Sequence, residues 1–581
     1  MVTIIHFPML SRSALCARRC RSFHPAIREL SKRKASTTTT DSHENVDVVI
    51  VGGGPAGLAL ASALGSSPAI KDNLTVALIE AGDLTKIQEW SASPGDFSNR
   101  VSSLTNASQD FLKRTGAWNS VDQRRTCGVE EMQVWDGVSD ARIEFNSTDL
   151  GAESSFNGMS RMTENLNLQR GLLRHLADMP QVQLLQKTKV QSITRDSDDK
   201  QSWPLVHLDN GRVLRSRLLV GADGFNSPVR SFAGISSYGW SYDTQAIVAT
   251  LEHHPRGAFE GPNTTAYQRF LPTGPIAFLP FSSTASSLVW STRPHIAKAL
   301  LSCEPAALST MINAAFRLPA FSLKYLYDRI LEAHAAGTPI TPAQLQEEIQ
   351  FREKAHSIDP LSTHSSLIRH SGPVGIASPD AHLVPPLVTG LQPGTAASFP
   401  LRFNHADVYI GEGKGSRTVL VGDAAHTVHP LAGQGLNMGL SDVECLTRCI
   451  EKAILHGGDV GSYTALLPYA QERYLANHIL MAAVDKLHKL YTTELEPVVW
   501  ARSVGLEVLN ELDSVKAAIM MQAGANAQQH GSPGWNAAAS VIQNASAAVE
   551  TVSAVVPALS RTIIGGIGNL LAQVNQTKRQ V

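Results

Sequence analysis

The sequence predicts an α/β fold, because strand-like runs of the buried parallel type end in glycine turns and are followed by helical patterns. Three such runs lie far apart in the chain, at residues 46–51, 217–221 and 418–422. Between them lie shorter strand-like pieces that are separated by Pro and Gly turns. We therefore predict a discontinuous Rossmann-like nucleotide-binding domain, with an inserted β-sheet domain and C-terminal helices.

The domain boundaries follow from the positions of these runs. The nucleotide-binding domain, together with the C-terminal helices, is expected to comprise residues 46–118, 162–232 and 405–520. The inserted domain, which we expect to hold the substrate, comprises residues 119–161 and 233–404. Both domains are therefore expected to be discontinuous in the chain.

Two segments of the inserted domain have patterns of their own. Residues 267–280 predict a β-hairpin, and residues 326–356 have a charged helical pattern. Arg269 and Trp290 fall on the inserted strands, where core, surface and substrate-contacting positions remain equally open.

The whole chain has a globular composition and a balanced charge. Its 581 residues are 43% hydrophobic and 17% charged, with 50 basic and 51 acidic side chains. A chain of this length is no small disulfide scaffold, and a balanced charge provides no strong field for nucleic acid. We therefore expect a large α/β protein without a nucleic-acid partner.

Residues 1–40 depart from this balance. They contain six Arg, two Lys and one Glu, which gives a net charge of +7. Apolar residues alternate with the arginines, and basic, Ser-rich, acid-poor beginnings of this kind are typical of mitochondrial transit peptides. We predict such a peptide here. A cationic tail without a targeting role is the alternative.

The C-terminal segment has a biased composition. In residues 522–581 Ala, Asn, Gln, Ser and Val dominate, which predicts a low-complexity tail. A weak helix or a mobile tail fits best, while Pro557 and the pair Gly565-Gly566 interrupt a membrane-lying helix. No stretch of the chain approaches the ~20 apolar residues that span a bilayer. A peripheral membrane contact remains open.

The first strand opens a complete nucleotide-binding unit. Gly52, Gly54 and Gly57 follow it and precede a helix, whose N-terminus favours phosphate. The three glycines serve a tight turn, a close backbone approach to pyrophosphate and close helix packing. A second strand then ends at Glu80, whose carboxylate suits ribose hydroxyls. This unit predicts dinucleotide binding.

The later Gly422-Asp423 strand end favours FAD over NAD. A flavin dinucleotide has ribityl hydroxyls that need an acceptor beyond the pyrophosphate, and Asp423 is suitably placed for them. The helix that follows, which we expect from about Met438 to His456, would direct its positive N-terminus at the flavin ring. Gly433 and Gly435 allow a close approach of the backbone, and Pro430 offers a flat apolar wall.

The pair His426 and His429 has a spacing that occurs in metal sites. Pro430 breaks a helix that would present both rings, and no further ligand is evident. We therefore predict no metal site.

Three sets of residues resemble the three fingerprints of the single-component flavoprotein aromatic hydroxylases. They are Gly52-x-Gly54-x-x-Gly57, Asp223-Gly224, and Gly422-Asp423 followed by His429-Pro430-Leu-Ala-Gly433-Gln-Gly435-Leu-Asn437. The resemblance covers about residues 46–520 and is greatest for the ubiquinone-biosynthesis subgroup. Its mitochondrial form is favoured by Gln268-Arg-Phe-Leu-Pro-Thr-Gly-Pro-Ile-Ala277, Phe399-Pro-Leu401 and Asp485-Lys-Leu-His-Lys-Leu-Tyr491.

The resemblance implies an FAD monooxygenase that uses O2. Its expected reaction is hydroxylation at ring position C5 of a 4-hydroxy-3-polyprenylbenzoate through a flavin C4a-hydroperoxide, and a later ring hydroxylation of a polyprenylphenol is also implied. Electrons are expected from NADPH through ferredoxin reductase and ferredoxin. The implied location is the mitochondrial matrix, peripheral to the inner membrane, in a multi-subunit ubiquinone-synthesis complex.

The resemblance also implies roles for individual residues. Those expected to hold the cofactor are Gly52, Gly54, Gly57, Glu80, Arg100, Asp223, Gly422, Asp423, Gly433 and Gly435. Those expected around the flavin ring are Asn165, Pro430, Gly435, Leu436 and Asn437. Arg100 also fits a surface position, and Asp223 also fits a structural cap. No side chain is marked as a catalytic acid or base.

Two other functions remain open at this stage. The chain fits a related FAD oxidoreductase that acts on another isoprenoid lipid. It also fits a non-catalytic, FAD-bound subunit of the synthesis complex.

Overall fold

A computed structural model describes the chain from residue 43 to residue 516 with internal gaps. The described residues are 43–91, 93, 95–150, 158–195, 202–256, 261–365, 380–430, 433–511 and 516. The predicted transit peptide (residues 1–40) and the low-complexity tail (residues 522–581) lie outside them.

The described residues form both strands and helices, which alternate in parts of the chain and are grouped into runs of one kind in others. The strands are β1 (Glu44–Val51), β2 (Val76–Ile79), β3 (Val101–Thr105), β4 (Thr126–Val129), β5 (Glu131–Asp136), β6 (Arg142–Asn146), β7 (Ser160–Glu164), β8 (Val182–Leu185), β9 (Val190–Arg195), β10 (Pro204–Leu208), β11 (Val213–Gly221), β12 (Ser237–His253), β13 (Thr265–Leu271), β14 (Gly274–Pro280), β15 (Ala285–Thr292), β16 (Val388–Leu391), β17 (Ala397–Ala406), β18 (Thr418–Leu420) and β19 (His426–Thr427). The helices are α1 (Pro55–Ser66), α2 (Pro68–Lys71), α3 (Thr85–Gln88), α4 (Asn106–Arg114), α5 (Asn165–Ala177), α6 (Pro228–Ala233), α7 (Pro294–Ser302), α8 (Pro305–Arg317), α9 (Ala320–Ala335), α10 (Pro342–Ala355), α11 (Gln434–Leu455), α12 (Tyr463–Thr492) and α13 (Glu496–Asn510).

The first sheet brings the three glycine-ended strands together. Its order is β8-β2-β1-β11-β10-β9, and β18 pairs with β11. β1 runs parallel to β2 and to β11, and β18 runs parallel to β11. The central strands β2 and β18, most of β1 and the end of β11 are buried on both faces, as their apolar runs predict, whereas β9 at the edge is exposed or half-buried. The discontinuous Rossmann-like arrangement is therefore confirmed.

The second sheet is the inserted one. Its order is β19-β17-β12-β15-β14-β13-β5-β6, and β16 pairs with β12. The pairing of β13 with β5 is parallel, while β13 and β14 form an antiparallel hairpin in the register Leu271 to Gly274. The predicted hairpin is therefore confirmed. A smaller sheet of order β3-β7-β4 completes the strand pairing.

Helices α7 to α10 pack against one face of the inserted sheet. Arg269 and Trp290 are directed to that face and are 3% and 0% exposed. The Arg269 guanidinium donates to the carbonyl oxygens of Ala315 and Leu318, at 3.0 and 2.9 Å, where α8 ends. Of the three open interpretations for this pair, the core position is the correct one.

The helical pattern of residues 326–356 is divided between two helices. α9 ends at Ala335, and Gly337 has a φ of +71°, which a glycine adopts without strain. Thr341 and Gln344 then form a reciprocal capping box that starts α10.

No helix among the described residues is long and apolar enough to cross a membrane.

Candidate active site

The first glycine loop is pressed against the second glycine-ended strand. Gly52 has a φ of +109°, and a Cβ there would lie 2.2 Å from the carbonyl oxygen of Ala222. A Cβ on Gly57 would lie 1.9 Å from the carbonyl oxygen of Gly52. Both positions therefore require glycine for close backbone packing. A Cβ on Gly54, by contrast, would meet no atom within 4 Å.

Glu80 lies directly beside this loop. Its carboxylate accepts hydrogen bonds of 2.6 Å from the backbone N–H groups of Gly53 and Gly82. The backbone donors hold the carboxylate next to the loop that precedes α1.

Asp223 lies against the same loop and caps a short helix. Its Oδ2 accepts from the N–H of Val229 at 3.1 Å, while Ser227 caps α6 through the N–H of Arg230. Its Oδ1 is buried and has no hydrogen-bond partner among the described residues. Burial raises the pKa of Asp223, against the opposing hydrogen bonds from Ser227 and Val229. The structural cap is therefore present, and one carboxylate oxygen remains available.

The Gly422-Asp423 turn contacts the first loop from the other side. Gly422 has a φ of +59°, and a Cβ there would lie 3.2 Å from the Cβ of Ala56 in α1. The Asp423 side chain is exposed to solvent, but many protein atoms lie around it, so it stands in an open recess. This partial desolvation raises its pKa, against the lowering effect of His426. A carboxylate in such a recess suits the hydroxyl groups of a ligand.

The segment from residue 433 is the first turn of a helix. The sequence favoured a turn here and a helix from about Met438, but α11 begins at Gln434. Gly433 adopts a φ of +59° as the residue before the helix, which allows the helix to start early. The correction places the helix N-terminus, with its unpaired N–H groups, at the predicted flavin-ring segment.

Asn437 ties this first turn to β3. Its Oδ1 accepts from the N–H of Thr105 at 3.0 Å and from the hydroxyl of Ser108 at 2.8 Å. Its Nδ2 donates to the carbonyl oxygen of Ser103 at 2.8 Å. Because these bonds use both ends of its amide group, Asn437 fixes the position of the helix start. Leu436 packs against the core, Pro430 is half-buried, and a Cβ on Gly435 would meet Val428 at an ordinary 3.7 Å.

Asn165 and Arg100 lie together beside β3. The Asn165 Oδ1 accepts from the hydroxyl of Ser102 at 2.6 Å, and its N–H donates to the carbonyl oxygen of Arg100 at 3.0 Å. The Arg100 side chain is exposed. Its placement fits either a surface position or a contact with a bound anion.

A buried polar network behind the Gly422 turn was not anticipated. Asp442 is 0% exposed, and its Oδ2 accepts from the N–H of Gly422 at 3.1 Å and from Nε2 of His426 at 2.6 Å. Its Oδ1 accepts from Nε of Arg473 and from Nδ2 of Asn477, each at 3.0 Å. Asp442 therefore holds the turn that carries Asp423.

The electrostatics of Asp442 reflect these donors. Burial opposes its ionisation, but the nearby His426, Arg473 and Asn477 outweigh that effect and lower its pKa to about 2. One signal in the sequence marks this residue, namely an acid on the same stripe of α11 as the buried Met438 and Cys445.

His426 and His429 face different neighbours. The His429 ring lies edge-on to Tyr242 and 4.6 Å from the ring of His488, whereas His426 binds Asp442. Burial lowers the pKa of His429 to about 3, which keeps that ring neutral. Among the described residues no cluster of His, Cys, Asp or Glu has the geometry to hold a metal ion.

The site as a whole fits a flavin dinucleotide. The free space at Gly54 suits a pyrophosphate at a helix N-terminus, and the open Asp423 suits ribityl hydroxyls. Oδ1 of Asp223, which is buried and accepts no hydrogen bond from the described residues, lies close to the same loop. These features lie around one contact region, since Gly52 meets Ala222 and Gly422 meets Ala56.

Comparison with known proteins gives a consistent result. The family model described as FAD binding domain matches residues 45–336 and 400–486. The protein named ubiquinone biosynthesis monooxygenase COQ6, mitochondrial, from Saccharomyces cerevisiae is 39% identical over 508 residues, which cover 86% of this chain and 98% of that protein. The Homo sapiens protein of the same name is 34% identical over 499 residues, which cover 84% and 94% of the two chains.

Solved structures share the fold. The p-nitrophenol 4-monooxygenase PnpA of Pseudomonas putida DLL-E4 is 17% identical with a TM-score of 0.54, covering 83% of this chain and 99% of that chain. P. aeruginosa PqsL in complex with 2-aminobenzoylacetate is 20% identical with a TM-score of 0.52, covering 77% and 97%. At these identities the likeness concerns the fold alone.

Proposed function

We propose that this chain, which belongs to the family of ubiquinone-biosynthesis FAD monooxygenases, hydroxylates ring position C5 of a 4-hydroxy-3-polyprenylbenzoate. The chain is an FAD-dependent monooxygenase, and FAD is its cofactor. The observation that carries the proposal is the convergence of the three glycine-ended strands. Gly52, Ala222, Gly422 and Ala56 meet within contact distance although they are separated by up to several hundred residues in the chain.

FAD, when bound and reduced, supplies the activation of O2. The residues of the chain bind and orient the cofactor and the substrate, and they exclude water from the site. The start of α1, directly after the first loop, would present backbone N–H groups to the pyrophosphate. Glu80, which the N–H groups of Gly53 and Gly82 hold in place, would accept from ribose hydroxyls. Asp423 would accept from the ribityl chain, and the start of α11 would face the electron-rich edge of the flavin ring. No side chain is required as a nucleophile.

The proposal includes the surroundings of the enzyme. The net charge of +7 in residues 1–40 and the names of the relatives support a mitochondrial location. Within the mitochondrion we propose the matrix side of the inner membrane. We assign electron delivery to NADPH through ferredoxin reductase and ferredoxin, and membership to a multi-subunit ubiquinone-synthesis complex. Residues 46–118, 162–232 and 405–520 form the proposed FAD-binding domain, and residues 119–161 and 233–404 the proposed substrate domain.

The substrate assignment is tested in cells that lack this protein. Fed with a prenylated 4-hydroxybenzoate, they should accumulate the intermediate that lacks the C5 hydroxyl, and the wild-type chain should restore C5 oxygenation. Mass spectrometry of the extracted quinone precursors identifies the intermediate. Normal C5 oxygenation without the protein would refute the assignment. Rapid flavin bleaching by NADPH alone would refute the ferredoxin route.

The proposed pyrophosphate site makes a prediction about Gly54. Gly54→Ala should leave the unfolding temperature nearly unchanged, because the new Cβ meets no atom of the protein within 4 Å. It should raise the Kd for FAD by about tenfold or more, since 1.4 kcal/mol of lost backbone contact is a factor of ten. Fluorescence titration of the apoprotein with FAD measures the change.

Gly505→Ala is the matched control for Gly54→Ala. Gly505 also has no atom within 4 Å of an added Cβ, but it lies in α13, away from the glycine loops. Its alanine variant should bind FAD as the wild type does. Equal FAD affinity in both variants would remove Gly54 from the cofactor site.

A further inference from the structure

We propose that the side-chain amide of Gln268 binds the oxygen-bearing edge of the aromatic substrate and orients its ring. This inference rests on the proposed function and adds a specificity-determining residue to it. Gln268 lies on β13, on the face of the inserted sheet that is turned away from helices α7 to α10.

The alternation of side chains along β13 assigns this face. Tyr267 and Leu271 belong to the core that the sheet forms with the helices, and the Arg269 guanidinium binds carbonyl oxygens at the end of α8. In a strand, successive side chains point to opposite faces. Gln268 is therefore directed to the other face, between Ala266 and Phe270.

Gln268 is the polar member of an otherwise apolar row across the sheet. Directly paired residues share a face, and from Gln268 the pairing leads to Val134 on one side and, on the other, to Ala277, Val289, Val248 and Ala397. Ala277 and Val289 are half-buried, whereas their chain neighbours Ile276, Phe278, Leu288 and Trp290 are fully buried. The row is therefore less densely packed than the opposite face of the sheet, and we infer an opening beside it.

The amide of Gln268 has no hydrogen-bond partner among the residues that the structure describes. Gln268 is 7% exposed and makes no side-chain hydrogen bond to any residue that the structure describes. Leaving a buried amide unsatisfied costs about 1–3 kcal/mol, so such a group needs a ligand or water to complete it. A partner that binds in the opening would satisfy it.

The opening is bounded by segments of the candidate active site. Two residues before Gln268, Ala266 packs in a cluster that includes Val101 of β3 and Met162 of β7. Two residues after it, Phe270 stacks on Tyr491 with ring centroids 4.0 Å apart.

The contacts on either side of Gln268 continue into the FAD site. The cluster of Phe270 also includes Val428, which directly precedes His429 and Pro430. Val101 belongs to β3, whose Ser103 and Thr105 hold Asn437 at the start of α11. Gln268 therefore lies between two contacts that both lead to the proposed flavin-ring segments.

The chemistry of this position selects the kind of ligand. An amide donates through its NH2 group and accepts through its oxygen, so it suits a neutral phenolic hydroxyl, which does both. The apolar residues on either side suit the ring and an attached hydrocarbon chain. The nearby buried cation, Arg269, is turned to the other face of the sheet, so the position offers no charge of its own.

The test uses the full-length FAD-loaded protein with 4-hydroxy-3-alkylbenzoate as the probe. Gln268→Met keeps the length of the side chain and removes both hydrogen-bonding groups. We expect kcat/KM to fall about tenfold, as for the loss of one hydrogen bond to the substrate. We also expect a larger fraction of the electrons to end in hydrogen peroxide instead of product, because a misoriented ring is hydroxylated less efficiently.

Gln133→Met is the matched control. Gln133 lies on the adjacent strand β5, is 2% exposed and is on the face of Trp135, which is turned to the helices. Its Nε2 is buried and has no hydrogen-bond partner among the described residues, so the control variant removes a second amide of the same sheet from the opposite face. We expect the control to retain wild-type coupling and wild-type affinity for the probe.

The outcomes separate the two proposals. Binding of the probe is measured as a change in the flavin spectrum. If the wild type neither binds the probe nor hydroxylates it, both proposals fail. If the wild type does so and Gln268→Met equals it in coupling and affinity, only the role of Gln268 is overturned. Should Gln268→Met lose FAD, the isosteric Gln268→Glu decides by the same two readouts. If Gln268→Glu sends the same fraction of its electrons into hydrogen peroxide as the wild type does, the role of Gln268 is overturned. A larger fraction of peroxide supports that role.

Discussion

Replacing Asp442 by alanine is expected to lower the free energy of unfolding by about 3–5 kcal/mol, the usual cost of breaking a buried charge pair. The carboxylate is fully buried, and it accepts from Gly422, His426, Arg473 and Asn477. Its removal leaves the Arg473 guanidinium without that partner and releases the Gly422 turn. Because this turn carries Asp423, the variant should also purify with little FAD. Urea unfolding and the flavin absorbance of the purified protein measure the two effects.

Glu444→Ala is the control on the same helix. Glu444 pairs with Arg114 at 2.5 Å, but the two side chains are 32% and 57% exposed. Exposed pairs contribute about 0–1 kcal/mol, so this variant should be nearly as stable as the wild type and should retain FAD. If Asp442→Ala resembled Glu444→Ala in both measurements, the buried network would not be what supports the turn.

The stability contributed by Asp442 should also depend on pH in a definite direction. Its pKa in the folded state is about 2, compared with an ordinary 3.8, so the folded state binds the proton less readily than the unfolded state. The contribution is therefore complete above about pH 4 and is lost as the pH falls towards about 2. Comparing the unfolding of the wild type and Asp442→Asn over this pH range separates the contribution of Asp442 from those of Asp223 and Asp423. The pKa values of these two residues are raised, so their effects on stability have the opposite pH dependence.

Replacing Arg502 by alanine is expected to destabilise the protein by a similar amount, about 3–5 kcal/mol. Arg502 donates from Nε and Nη2 to the two carboxylate oxygens of Asp136, at 2.8 and 2.9 Å, and the side chains are 1% and 0% exposed. Its Nη1 donates to the carbonyl oxygens of Leu490 and Thr493, at the end of α12. The variant leaves Asp136 buried without its cation and detaches α13 from the inserted sheet. Urea unfolding and proteolytic cleavage near residue 495 report these changes.

A double-mutant cycle tests that interpretation. The double variant of Asp136→Ala with Arg502→Ala should lose much less stability than the sum of the single variants, because it leaves no unpaired buried charge. Arg448→Ala is the exposed control, since Arg448 and Glu472 pair at 2.6 Å with 56% and 53% exposed side chains. Additive losses in the cycle would mean that packing around Arg502, and not the ion pair, fixes α13.

Local patterns in the sequence were sufficient to predict the elements of the proposed cofactor site. The run that begins at Val46, the glycines at 52, 54 and 57 and the acid at Glu80 predict strand, turn, helix and strand, because each depends on neighbours within a few residues. The hairpin at residues 267–280 could be predicted for the same reason. The start of α11 could not be predicted, since the left-handed conformation of Gly433 permits a helix start that residue preferences alone do not mark.

The sequence by itself determined the α/β class, the discontinuous nucleotide-binding segments and the type of cofactor. These depend on short spacings whose physical cause is local: backbone sterics at glycine, side-chain alternation in strands and the dipole of a helix start. Only the tertiary structure decided that Asp442 holds Gly422 and that the face of β13 with Arg269, and not the face with Gln268, packs against the helices. Such partners are brought together by the packing of distant segments, and no local spacing encodes which buried polar group meets which.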